Sequence, residues 1–140
     1  LEEFAKEGNY KHVVFSGYYD KKDEASIIRK CTMMNIFYPR KLSHDTALSN
    51  RFYNSIFFRK PMITTADTIQ GDYTEKYKLG VAINDTIDLA EKIKEYIKTF
   101  DKEEYERNRR KLLMRFLSDY KVLEDQVIAF CKNNSRTNLK

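Results

Sequence analysis

The sequence has no tryptophan and only four glycines, two prolines, two histidines and two cysteines in 140 residues. Cys31 and Cys131 stand far apart, with no histidine beside either and no Cys-x-x-Cys pair, so neither belongs to a metal set. They read as ordinary reduced, partly buried thiols, which fits a cytosolic compartment. His12 reads as a strand-edge residue. His44 and Asp45 are neighbours in a loop and point differently, and no Ser or Cys nucleophile is placed to complete a triad with them. No apolar run approaches the roughly 20 residues that a membrane span needs, and the start lacks a signal-peptide layout.

What is present is a globular composition. Hydrophobic residues make up 41% and charged residues 34%, and the aromatic content is 10 Tyr and 9 Phe, which excludes a disordered chain. The length suits one domain with a real core. The net charge of +5 permits an anionic partner without demanding one. Basic residues concentrate at Arg107, Arg109, Arg110, Lys111 and Arg115, but Glu103, Glu104 and Glu106 lie one turn earlier. With no RNA- or DNA-binding motif beside it, that cluster argues against nucleic acid. It reads as a solvated face, and an anionic lipid surface is the partner it could lean on.

The chain is organised around residues 47 to 65. Ser49 caps an amphipathic helix whose apolar positions Phe52, Tyr53, Ile56 and Phe57 recur at i and i+4, with Asn50, Arg51, Asn54 and Arg59 opposite. Arg59 and Lys60 place positive charge in the last turn, Pro61 stops the helix, and Met62 to Thr65 form a short buried strand. The start of such a helix offers free N–H groups and a partial positive charge to a phosphate. Arg51 could add a mobile donor, although spacing alone favours an ordinary solvated helix arginine.

Around that centre strands alternate with helices. Residues 1 to 9 read as the tail of a helix, as in a piece of a longer chain, and His12 to Ser16 as a buried strand ending at Gly17. A helix over Asp20 to Cys31, a strand over Met33 to Tyr38 and a polar loop over 39 to 46 follow. After the third strand come a short helix near Ile69 to Tyr77 and a fourth strand, Val81 to Asn84. Asp85 and Thr86 are expected to cap a helix that buries Ile87, Leu89, Ala90, Ile93, Tyr96 and Ile97. Two helices, about 102 to 117 and 119 to 132, close the chain. The pattern predicts an α/β fold: a Rossmann-like parallel sheet of about four strands, covered on both faces, with the loops after Ser16, Tyr38, Thr65 and Asn84 on its carboxyl edge.

Read in order, Val13 to Tyr18, Met34 to Tyr38, Leu48 to Ile56, Lys60 to Ile63, Leu79 to Val81 and Asp88 to Ala90 resemble the C-terminal, nucleotide-sugar-binding domain of GT-B glycosyltransferases of the glycosyltransferase 4, or group 1, type. The resemblance spans roughly residues 10 to 120. It implies a donor site for a nucleoside diphosphate sugar, with the turn at Gly17 and Tyr18 near the base and Thr46, Ser49 and Asn50 meeting the diphosphate and sugar. Arg51 stands where the family usually has Lys. The family's paired glutamates fall at Thr46 and Asn54, so ribose recognition rests on a weaker, uncharged acceptor.

The resemblance further implies a bacterial-type, cytoplasmic enzyme of surface polysaccharide synthesis that needs neither metal nor other cofactor. In such enzymes positive groups and a helix start stabilise the departing diphosphate. It also implies that this chain is a truncated donor domain, inactive alone, whose partner is a missing N-terminal acceptor domain. The last helix would cross toward that domain, leaving Val122, Val127, Ile128 and Phe130 partly exposed. Two rivals stand beside this reading: a non-catalytic α/β binding or regulatory module, and a degenerate, inactive member of the same family.

Overall fold

The computed structural model describes residues 2 to 137, with side chains to residue 132. The chain divides into two compact units, residues 1–31 and 32–140. In the first, α1 (Glu2–Glu7) ends through Gly8 and a left-handed Asn9 (φ 51), and a 3-10 turn (Lys21–Asp23) leads into α2 (Glu24–Lys30). The strand expected over His12 to Ser16 does not form: the segment is irregular, with Val13 50%, Val14 87% and Phe15 43% exposed. Local β propensity makes a strand only where a neighbour takes its N–H and C=O groups, and no strand pairs with this run.

The second unit holds a parallel sheet of three strands, not four, in the order β1 (Met34–Ile36), β2 (Met62–Thr65), β3 (Gly80–Ile83). Met34 pairs with Met62, and Met62 with Gly80. Gly80 allows that closeness, because a Cβ there would lie 1.9 Å from the Met62 carbonyl oxygen. A short helix, α3 (Leu42–Asp45), interrupts the expected polar loop. Then come α4 (Asn50–Phe57) before β2 and α5 (Ile69–Lys76) between β2 and β3.

In α4 the predicted face is narrower than the spacing suggested. Phe52 and Ile56 are fully buried, each worth about 1.5–3 kcal/mol of transfer free energy, and Ser55 is buried with them, whereas Tyr53 and Phe57 are exposed. Ser55 Oγ donates to the Lys60 carbonyl at 2.7 Å, and Lys60 N to the Ser55 carbonyl at 2.8 Å. This clasp, with Arg59 left-handed at φ 58, ends the helix before the basic pair, so Arg59 and Lys60 lie beyond the last turn.

The sheet is covered on both faces, as the apolar strands require. On one face Ile36 and Met62 pack with Phe52, Ile56, Tyr77, Leu79, Tyr105 and Leu112. On the other, Ile63, Val81 and Ile83 pack with Leu89, Ile93 and Tyr96 of α6 (Leu89–Thr99). That helix begins later than expected. Asp85 Oδ1 accepts the Ile87 N–H in a turn, Asp88 stands at the cap, and Ile87 and Ile97 are exposed. Ala90 is exposed as well, and Leu89, Ile93 and Tyr96 are only half-buried, so the expected stripe packs on the sheet without any of its residues being fully buried.

The two expected C-terminal helices are one, α7 (Lys102–Thr137), because nothing near Ser118 breaks it. Tyr105, Arg109 and Leu112 are buried and Leu113 and Phe116 half-buried, while from Leu117 to Lys132 every side chain is exposed. Val122, Val127, Ile128 and Phe130 are among them. Arg109, counted above in a basic surface cluster, instead points into the core at 4% exposure.

Candidate functional site

Parallel strands place the loops after β1, β2 and β3 on one edge of the sheet, where α4, α5 and α6 begin. That edge is tied together by hydroxyls. Thr65 Oγ1 accepts the Tyr38 N–H at 3.0 Å and donates to the Tyr38 carbonyl at 2.8 Å, fixing the exit of β1 against the end of β2. Thr68 Oγ1 donates to the Thr65 carbonyl at 2.7 Å and accepts the Gly71 N–H at 3.1 Å, capping α5. Gly71 is required here, since a Cβ would stand 2.3 Å from the Thr65 carbonyl oxygen.

Arg40 joins the first two loops. Its guanidinium donates to Asp45 Oδ2 and to the Asp67 carbonyl, both at 3.1 Å, and lies 3.7 Å from Asp67 Oδ2. The hydrogen bond and charge of Asp45 raise the guanidinium's pKa above its usual value. Asp67 takes a left-handed φ of 53 to close that turn. His44, in α3, has its Nδ1 3.3 Å from the Pro39 carbonyl oxygen and its ring centroid 5.4 Å from that of Tyr38.

Ser49 caps α4, its Oγ accepting the Phe52 N–H at 3.3 Å. Buried Gln70 reaches across from α5, and its Oε1 accepts from Ser49 Oγ at 2.8 Å and from Ser49 N at 3.3 Å. The serine is thereby held within the protein. The N–H groups of Asn50 and Arg51 remain as the donors of the helix start, because first-turn amides have no intrahelical carbonyl. Asn50, Arg51 and Thr46 are exposed and Asn54 half-buried, and among the described residues the structure gives their side chains no hydrogen-bond or ion-pair partner.

Of the seven residues singled out in the sequence, the structure thus gathers Thr46, Ser49, Asn50, Arg51 and Asn54 along the start and outer side of α4. Gly17 (φ 69, as a turn glycine adopts) and fully exposed Tyr18 belong to the first unit. Sequence reasoning missed Arg40, Asp67 and Gln70. Thr68 followed by Gly71 was the one local sign of the α5 cap, while the reach of Gln70 across 21 positions had no sequence signal.

Among the described residues no group of three or more His, Cys, Asp or Glu is placed to hold a metal ion. Nor is any helix there long and apolar enough to cross a membrane. No family model, curated protein or solved structure matches the chain.

Proposed function

We propose that this chain is the donor-binding portion of a glycosyltransferase that moves a sugar from a nucleoside diphosphate sugar to an acceptor, in surface polysaccharide synthesis at the cytoplasmic face of the membrane. The observation that carries the reading is the start of α4 at the carboxyl edge of a parallel sheet, capped by Ser49. There the amides of Asn50 and Arg51 have no intrahelical acceptor and the exposed Arg51 side chain follows in the first turn, donors of the kind an anionic diphosphate takes. In this reading Arg51 and the helix start take up charge as the sugar leaves, Asn54 hydrogen-bonds the ribose, and Thr46 lines the sugar side. An acceptor-binding domain supplies the rest of the cleft, and no metal is called for.

A non-catalytic α/β binding module is the alternative. It is favoured by the engagement of both Ser49 Oγ and Ser49 N by Gln70, and by uncharged Thr46 and Asn54 where the resembled family carries glutamates.

Titrating the chain with UDP, GDP and inorganic phosphate, followed by amide NMR, tests the donor site. Saturable shifts at Asn50 and Arg51 are expected, larger for one nucleotide than for phosphate and lost in Arg51→Ala. Shifts of equal size with phosphate, or none at these amides, would overturn it.

A further inference from the structure

Along α7 the apolar positions Leu113, Phe116, Tyr120, Leu123, Val127 and Phe130 recur at alternating intervals of three and four. That is the spacing of a coiled-coil seam, two apolar residues per heptad on one face of a helix. The first two pack on the core, with Phe116 against the rings of Phe52, Tyr53 and Tyr73. The last four carry the same stripe past the body of the domain and lie open, Tyr120 63%, Leu123 57%, Val127 52% and Phe130 68% exposed. A helix of roughly four turns is marginal in water by itself, and the ion pairs of Lys121 with Glu124 and Asp125 add little to it. The open half of the stripe therefore calls for a covering partner.

Charge, spacing and area select that partner. Residues 117 to 132 carry Asp119, Glu124 and Asp125 against Lys121 and Lys132, so an anionic lipid surface is not attracted. A heptad stripe instead fits a second helix with the same repeat, which another copy of this chain supplies. Covering Leu117 and the four open stripe residues would take about 500–600 Å² from each copy, roughly 1,000–1,200 Å² in all, enough for a specific but not a tight interface. Direction follows from where the body sits. It lies against the same stripe at Leu113 and Phe116, so two copies running the same way would drive one body into the other. They would also set Asp119 against the partner's Glu124, with no lysine at the positions that flank the seam. Running opposite ways, Tyr120 faces the partner's Phe130 and Leu123 the partner's Val127, and the bodies stand at opposite ends. Glu124 then lies near the two-fold axis, balanced by Lys121 at 3.0 Å.

We propose that the open half of α7 is a self-association surface, on which a second copy of this chain lays its own α7 in the opposite direction to form a two-fold symmetric dimer. The surface is independent of the start of α4 and of any nucleotide bound there.

Sedimentation equilibrium of the full chain from about 1 to 200 µM, the range that an interface of this size calls for, tests it. A monomer–dimer equilibrium with a micromolar dissociation constant is expected. Leu123→Lys should raise that constant at least about tenfold, whereas Val122→Lys, at an equally exposed position off the stripe, should leave it unchanged. Neither residue touches the core, so both variants keep the fold. In Leu117→Cys a short bismaleimide is expected to join position 117 of one copy to the partner's Cys131. The proposal is overturned if the chain stays monomeric throughout, with or without anionic vesicles to bind, if the two lysine variants act alike, or if the cross-links join like positions.

Discussion

Arg109 Nη1 donates to the carbonyl oxygen of Ile56 at 3.1 Å, joining α7 to the last turn of α4 across 53 positions of sequence. The same guanidinium holds Glu106 Oε2 through Nη2 at 3.0 Å and Nε at 3.3 Å. A positive charge thus meets the carbonyl end of α4, where the helix dipole favours it. Arg109→Ala is expected to cost roughly 3 kcal/mol, the scale of breaking a buried charged contact and leaving its partners unpaired. Arg107→Ala and Arg110→Ala, on the exposed side of the same helix, should each stay within about 0.5 kcal/mol of the parent. Urea denaturation midpoints at constant slope check the contrast.

Gly80→Ala should damage the sheet itself. The added methyl would meet the Met62 backbone, at a residue whose φ is +159, and neither strand can shift without losing its register. A loss of roughly 2 kcal/mol or more is expected, with amide exchange accelerated first at Met62 to Thr65.

At the candidate donor edge, Ser49→Ala removes the cap of α4 and strands the buried Gln70 oxygen with only the Ser49 N–H for a partner. The expected cost is about 1–2 kcal/mol. The double variant Ser49→Ala with Gln70→Leu should recover none of it, because the backbone N–H at position 49 then loses its acceptor as well. Thermal unfolding of the three variants decides this.

The buried tyrosines predict an alkaline limb of stability. Tyr96 is raised from 10.0 to about 12 in the folded chain by burial, and Tyr105 is raised too. The unfolded chain therefore loses these protons first, and stability present below pH 10 falls as pH rises from about 10 toward 12. Tyr96→Phe should flatten that limb. Spectroscopic titration of tyrosinate should show a group ionising near pH 12 in the parent that is missing in Tyr96→Phe.

Where an interaction is local, the residues announce it. The Ser49 cap, the stop at Pro61, the buried strand Met62 to Thr65 and the strand after Leu79 all follow from spacing and capping chemistry within a few residues. The parallel sheet with two covered faces follows as well, since short, continuous apolar strands separated by helices have no other way to bury both sides. Five of the seven candidate site residues lie together because they are near neighbours along α3 and α4.

Only the tertiary structure decided the rest. His12 to Ser16 has the composition of a strand and finds no partner, so propensity goes unused. Tyr53 and Phe57 fit the apolar spacing of α4, yet the surrounding layer covers only Phe52, Ser55 and Ile56. Arg109 looks like its basic neighbours until a carbonyl 53 positions away gives it a buried partner. Gln70 on Ser49, and Tyr96 beside Phe100 and Tyr105, depend likewise on which helix ends meet at which edge of the sheet. A side chain's burial is set by what packs over it, and that is a property of long-range contact which no local window of sequence contains.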